Sequence, residues 1–133
     1  MKKILIVQPI HEKGMELLKS NSNYTYEVVE DLSVENVKQK IIDADAMSLR
    51  TSILPAEAIE NAKKLKIISR HGVGYDNIDL DSCKKRNIDV AITATANAVA
   101  VEEHVLFMLL SISKRKGMYD QSVKSGKFTE RNK

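Results

Sequence analysis

The chain has 133 residues, 43% of them hydrophobic and 29% charged, which predicts a folded domain and excludes a disordered chain. Its formal net charge is +3, and no basic run is interleaved with aromatic residues, so nucleic acid is excluded as a partner. The one cysteine cannot form an internal disulfide, which is typical of a reducing compartment. The apolar run at residues 4–7 is too short for a signal peptide or a membrane span. We therefore expect a cytoplasmic protein without membrane contact.

Strands and helices are predicted to alternate along the first 93 residues. Five short apolar or β-branched runs have the length of buried strands: residues 3–7, residues 24–29, residues 46–49, a fourth that begins at residues 67–68 and leads into a loop with two glycines, and residues 89–93. Between them lie helical segments, with Ser33 and Asp79 as N-terminal caps, Pro55 in a first turn and Asn87 as a left-handed C-terminal residue. This alternation predicts a flavodoxin-like, doubly wound α/β fold, with a five-stranded parallel sheet covered by helices on both faces.

The helix predicted over residues 97–116 is apolar all round in its middle, at residues 105–110. Basic residues in its last turn and Gly117 after it indicate where it ends. A helix of this kind has to be buried on every side, so we expect it to protrude from the sheet domain and to be covered by a second domain or a second copy of the chain. The face predicted to self-associate consists of Val101, Val105, Met108, Leu109 and Ile112.

The loop of residues 69–79 follows the predicted fourth strand and carries two glycines, Gly72 and Gly74, one residue apart. This spacing allows a tight turn and exposes consecutive backbone N–H groups, which attract carboxylates or phosphates next to a helix N-terminus. A dinucleotide fingerprint needs a third glycine where Asn77 stands, so a nucleotide site is excluded here. The alternative interpretation is a plain tight turn.

Arg50 and Thr51 follow the predicted third strand, at the end of the sheet where α/β proteins bind ligands. The guanidinium can form paired bonds with a carboxylate or phosphate, and Thr51 can donate a further bond. If the third and fourth strands are neighbours, Arg50 and the two glycines line one crevice; a solvated loop arginine is the alternative. None of the three histidines has metal-ligand spacing or a nucleophile partner, so no catalytic residue and no metal site is predicted.

Nearly the whole chain resembles the D-isomer-specific 2-hydroxyacid dehydrogenases, in particular their phosphoglycerate dehydrogenase-like branch, and the resemblance is most specific over residues 65–104. Residues 65–79, LKIISRHGVGYDNID, are similar to the family's signature loop. Residues 97–104, NAVAVEEH, are similar to the start of the helix that crosses between the family's two domains. The sequence departs from the family at residues 93–95, Thr-Ala-Thr in place of Thr-Pro-Gly, and at Glu102 in place of alanine.

The resemblance implies hydride transfer between NAD(H) and a 2-hydroxy or 2-oxo acid such as 3-phosphoglycerate. It also implies six substrate-binding residues: Arg50, Thr51, Gly72, Val73, Gly74 and Asn97. Among these, Val73 and Gly74 would offer backbone N–H groups to the substrate carboxylate. Val101 would face the nicotinamide of the cofactor.

The family's cofactor fingerprint and its catalytic Arg, Glu and His cannot be placed in these 133 residues. We therefore expect residues 1–93 to form the substrate-binding lobe, and residues 94–133 to form the crossing helix and the first part of an incomplete nucleotide-binding domain. Such a truncated chain would be inactive alone and a poor binder of NAD. The alternative is a free-standing carboxylate-binding or dimerisation module that partners a full-length paralogue. A homodimer through residues 97–116 is expected.

Overall fold

The structure is a computed structural model that describes residues 1–127. Its elements, in chain order, are β1 (Lys2–Val7), α1 (Glu12–Lys19), β2 (Tyr24–Val29), α2 (Val34–Lys40), a 3-10 turn (Ile41–Asp43), β3 (Ala46–Leu49), α3 (Ala56–Asn61), β4 (Ile67–Arg70), α4 (Leu80–Lys85), β5 (Asp89–Ile92), α5 (Ala98–Ser113) and α6 (Lys116–Lys124).

The five strands form one parallel sheet in the order β2-β1-β3-β4-β5, which confirms the predicted flavodoxin-like α/β fold. Strand β1 pairs with β2 on one side and with β3 on the other. The chain winds first towards β2 and then back past β1, so the winding direction reverses between β1 and β3. In open sheets of this kind the ligand crevice lies outside the carboxyl ends of the strands at that reversal.

The core lies on one face of the sheet, where alternate strand residues such as Leu5, Met47 and Ile68 are fully buried. They pack with apolar residues of α2, α3 and α4, which cover this face. On the other face, Ser48 of β3 and Ser69 of β4 border an open cavity of about 240 Å³ beside Gly14 of α1. Helices therefore lie on both faces, and the larger core is beneath α2–α4.

The predicted caps are confirmed: the side chains of Ser33 and Asp79 accept backbone N–H bonds at the starts of α2 and α4. Asn87 has the predicted left-handed backbone, with φ of 52°. The position predicted for Pro55 is wrong by one residue, because its extended backbone makes it the N-cap and α3 begins at Ala56.

Strand β5 ends at Ile92, one residue before the predicted end. The backbone N–H of the next residue, Thr93, donates to the Gly72 carbonyl at 3.1 Å instead of continuing the strand.

The predicted end of the long helix at residue 116 is also wrong, because α5 ends at Ser113. Arg115 takes a left-handed φ of 47°, two residues before Gly117, which was predicted to follow the end of the helix. The N–H groups of Met118 and Tyr119 then donate to the Arg115 carbonyl, so α6 begins at Lys116 and Gly117 lies inside it.

The chain divides into two compact units, residues 1–94 and residues from 95 onwards. The first holds the sheet with α1–α4, and the second holds α5 and α6. Within residues 95–127 no residue of either helix is buried. No helix in residues 1–127 is long and apolar enough to span a membrane. The roles of the two units as lobes of a larger enzyme stay predictions.

Ion pairs at the amino end of the sheet predict a pH dependence of stability. Glu27 on β2 bonds to Lys40 at 2.6 Å and to Lys3 at 2.9 Å, and these two ammonium groups hold its pKa below the ordinary 4.5. A carboxylate with a lowered pKa stabilises the fold above its unfolded pKa and loses that contribution as the pH falls through the folded value.

We expect the Lys40→Gln variant to lose less than about 1 kcal/mol of unfolding free energy at pH 7, because the pair is partly exposed. The loss should vanish at low pH, where Glu27 is protonated in the wild type as well. Urea unfolding at a series of pH values from 7 downwards measures how the loss changes. A loss that stays equal down to the acid unfolding of the chain would show that Lys40 acts through packing instead.

Candidate functional site

The structure places the predicted third and fourth strands side by side, so the segments that follow them meet at one end of the sheet. Leu49 at the end of β3 pairs with Arg70 at the end of β4, and the His71 N–H donates to the Leu49 carbonyl at 2.7 Å. The Asn77 side-chain amide donates to the carbonyls of Ser52 at 2.7 Å and Arg50 at 3.3 Å. Arg50 and Thr51 are therefore joined to the glycine loop, here defined as residues 71–77.

Of the two loop glycines, Gly72 is the one whose backbone requires glycine. Its φ of 150° is rarely adopted by L residues, and a Cβ built on it would overlap the Arg70 guanidinium. Gly74 has no positive φ, and a Cβ there would meet the Asp76 carboxylate at an ordinary 3.5 Å. Gly72 therefore allows the close approach of the Arg70 side chain to the loop backbone.

The loop offers free backbone donors. Within residues 1–127 the N–H groups of Val73 and Gly74 have no hydrogen-bond acceptor, and Val73 is 43% exposed. The N-terminus of α4 is already capped, because the Ser82 N–H donates to Asp79 Oδ1 at 2.8 Å and lowers the pKa of that carboxyl. The donors open to an anion are thus in the loop, whereas the start of α4 is closed by its own aspartate.

Arg50 and Thr51 are held by the turn that follows β1. One guanidinium nitrogen of Arg50, Nη1, donates to the Pro9 carbonyl at 3.1 Å. The backbone N–H and the hydroxyl of Thr51 both bond to Gln8 Oε1, at 2.7 and 3.2 Å. The polar groups of Thr51 are therefore engaged within the protein, and Arg50 is the residue of this pair with donors left for a ligand.

Sequence reasoning missed Arg70, the last residue of β4, as a member of the site. Its Nε is buried and has no hydrogen-bond partner within residues 1–127, and its Nη1 donates to the His71 carbonyl at 3.3 Å. The Arg70 guanidinium thus lies against the glycine loop, next to the strand end that carries Arg50. The available signal was an arginine directly before a Gly-x-Gly loop, at a strand end.

Asn97 and Val101 belong to the second unit. Asn97 is the N-cap residue of α5 without a side-chain capping bond, and Val101 lies in the first turn of α5 and is 52% exposed. Their contacts with a substrate and with NAD stay predictions.

The comparisons with known proteins agree with the two segments singled out from the sequence. Residues 4–130 match the model of the catalytic domain of the D-isomer specific 2-hydroxyacid dehydrogenases. D-3-phosphoglycerate dehydrogenase 2, chloroplastic, of Arabidopsis thaliana is 35% identical over 98% of this chain and 21% of that protein.

The chain is also similar to solved structures over most of its length. The PH0520 protein of Pyrococcus horikoshii OT3 matches with a TM-score of 0.85 and 27% identity, over 96% of this chain and 38% of that one. The NAD⁺-bound 3-phosphoglycerate dehydrogenase of Entamoeba histolytica matches with a TM-score of 0.72 and 30% identity, over 83% and 38%. The chain spans between 21% and 39% of the length of the curated relatives that it matches. With the family model covering nearly all of its residues, the chain belongs to the D-isomer specific 2-hydroxyacid dehydrogenase family.

Proposed function

We propose that this chain supplies the substrate-binding lobe of an NAD-dependent 2-hydroxyacid dehydrogenase, with the glycine loop as the site for the substrate carboxylate. The observation that carries the proposal is the pair of free N–H groups at Val73 and Gly74, in a loop that contacts the Arg70 guanidinium and that Asn77 joins to the backbone of Arg50. Backbone donors and guanidinium groups are the partners that carboxylates and phosphates prefer. A phosphorylated acid such as 3-phosphoglycerate satisfies both kinds of donor.

Calorimetric titration of the whole chain with 3-phosphoglycerate tests this proposal. We expect saturable binding in the millimolar range or tighter, and loss of binding when the ligand's carboxylate is converted to a methyl ester. Equal heats for the acid and the ester would refute carboxylate recognition by the loop.

Arg50→Gln should weaken 3-phosphoglycerate binding roughly tenfold, because a hydrogen bond to a charged group contributes about 1.5–3 kcal/mol. Lys63→Gln, the same charge change at an exposed lysine before β4, is the matched control and should leave the affinity unchanged. If both variants lose affinity equally, only net charge matters and Arg50 has no specific role.

The hydride-transfer chemistry would come from NAD bound to residues that this chain does not contain. No glycine fingerprint of the cofactor type occurs in its sequence, and Asn77 stands where a third glycine is needed. We expect no turnover of 2-oxo acids by the chain alone and no saturable NADH binding. Fluorescence titration with NADH checks this expectation, and tight binding would mean that α5 and Val101 suffice for a cofactor surface.

A second candidate function, a dimerisation module, is favoured by the exposure of α5. The predicted self-association face is 44–78% exposed at each of its residues, Val101, Val105, Met108, Leu109 and Ile112. Contiguous exposed apolar patches on soluble proteins mark interaction surfaces. A second copy of this chain, or a full-length relative, would bury them.

A further inference from the structure

Gln8, directly after β1, has a backbone conformation that its place in the chain does not explain. Its φ is 77°, in the left-handed region that non-glycine residues rarely adopt. The other non-glycine residues of residues 1–127 with positive φ, Asn87 and Arg115, follow the ends of α4 and α5, where left-handed residues are common. Gln8 follows a strand instead. Strained backbone of this kind persists where surrounding interactions hold it, often at functional sites.

The interactions that hold Gln8 run from its side chain to the segment after β3. Its Oε1 accepts the backbone N–H groups of Thr51 at 2.7 Å and Ser52 at 3.2 Å, and its Nε2 donates to Thr51 Oγ1 at 3.0 Å. These bonds cross from β1 to β3, between which the winding of the sheet reverses. One amide side chain therefore sets the backbone of residues 51 and 52.

The same turn also sets the direction of the Arg50 side chain. The carbonyl of Pro9, the residue after Gln8, accepts a bond from Arg50 Nη1 at 3.1 Å. On the far side of the segment, the Asn77 amide donates to the Arg50 and Ser52 carbonyls. Residues 50–52 are thus held between Gln8 on one side and the glycine loop on the other.

We propose that Gln8 is the positioning residue of the anion site: its uncharged amide holds residues 50–52 in place and leaves the Arg50 charge available for a negatively charged substrate group. This inference rests on the proposed function. A carboxylate could accept the same two N–H bonds, but it would place a negative charge in the turn whose next residue, Pro9, accepts the Arg50 Nη1 bond. It would then repel the ligand and compete for the arginine. The neutrality of Gln8 therefore determines specificity for anionic ligands.

Three variants separate the effect of the Gln8 hydrogen bonds on residues 51 and 52 from the effect of its lack of charge on ligand affinity. Gln8→Glu keeps an acceptor and adds a charge, whereas Gln8→Ala removes the acceptor. Gln39→Glu is the matched control, because it makes the identical charge change on α2. Its neighbour Lys40 pairs with Glu27 at the amino end of the sheet, which is the end opposite the anion site. Two readouts are recorded on the whole chain: hydrogen exchange of the Thr51 and Ser52 amides without ligand, and calorimetric affinity for 3-phosphoglycerate.

In Gln8→Ala we expect the exchange of both amides to accelerate roughly tenfold or more, while Gln8→Glu exchanges as slowly as the wild type. In Gln8→Glu we expect the affinity to fall at least roughly tenfold, because the added carboxylate repels an anionic ligand. Gln39→Glu should match the wild type in both readouts.

Unchanged amide exchange in Gln8→Ala would overturn the positioning role. Wild-type affinity in Gln8→Glu would overturn the role of neutrality. If the wild-type chain binds no 3-phosphoglycerate, the proposed function and the role of neutrality both fail, and the exchange rates still decide whether Gln8 holds residues 51 and 52.

Discussion

Gly72→Ala is expected to abolish measurable binding of 3-phosphoglycerate and to lower the free energy of unfolding by about 1–3 kcal/mol. The φ of 150° disfavours any L side chain at this position, and the new Cβ would push the Arg70 guanidinium away from the loop. Both changes displace the neighbouring N–H groups of Val73 and Gly74. Calorimetry measures the affinity, and urea unfolding measures the stability.

Gly126→Ala is the matched control for this substitution. Gly126 also has a positive φ, 73°, but a Cβ there would meet no atom within 4 Å and the residue lies after α6. We expect this variant to lose stability without losing ligand affinity. If Gly72→Ala binds 3-phosphoglycerate as well as Gly126→Ala does, the conformation of Gly72 is a feature of the turn and plays no part in recognition.

The double variant Val105→Glu/Leu109→Glu is expected to convert a self-associated chain into a monomer. Full burial of one such side chain contributes about 1.5–3 kcal/mol, so losing two contacts from each protomer should raise the dissociation constant at least roughly a hundredfold. Sedimentation velocity across a wide concentration range measures the change. Leu17→Glu is the control, since Leu17 is an equally apolar residue on α1 and is 74% exposed.

A wild-type chain that sediments as a monomer at every concentration would refute self-association through α5. A dimer that survives the double variant would place the contact elsewhere. Leu106 and Leu110 are also exposed and are the first residues to test in that case, because they lie on another face of the helix.

The sequence predicted the sheet well because its signals are local. Short β-branched runs and the caps Ser33 and Asp79 specify strands and helix starts without reference to distant residues. The adjacency of β3 and β4 entered the prediction only as a condition, and the structure supplies that adjacency, which brings the segment of Arg50 to the glycine loop. The end of α5 was predicted less well, since the helix ends at Ser113 with a left-handed Arg115, before the predicted terminator Gly117.

The site was predicted only in part, because its remaining members depend on contacts between distant segments. Nothing near Gln8 in the chain shows that its amide bonds to Thr51, a residue 43 positions away. Arg70 likewise belongs to the site because its guanidinium lies against Gly72 and its Nε is buried, and neither feature is visible in the sequence. Side-chain contacts between the ends of different strands can be identified only from the three-dimensional arrangement. Composition and spacing identify only the strands themselves.

The most direct test of the account is a titration of the ¹⁵N-labelled chain with 3-phosphoglycerate, observed through backbone amide resonances. The resonances of free N–H groups that donate to an anion shift strongly on binding, whereas those of amides already bonded within the sheet do not. We predict saturable shifts at Val73 and Gly74, with smaller shifts at Thr51 and none at β2 residues such as Thr25. Absence of saturable shifts at Val73 and Gly74, with or without binding elsewhere, would contradict the assignment of the glycine loop as the carboxylate site.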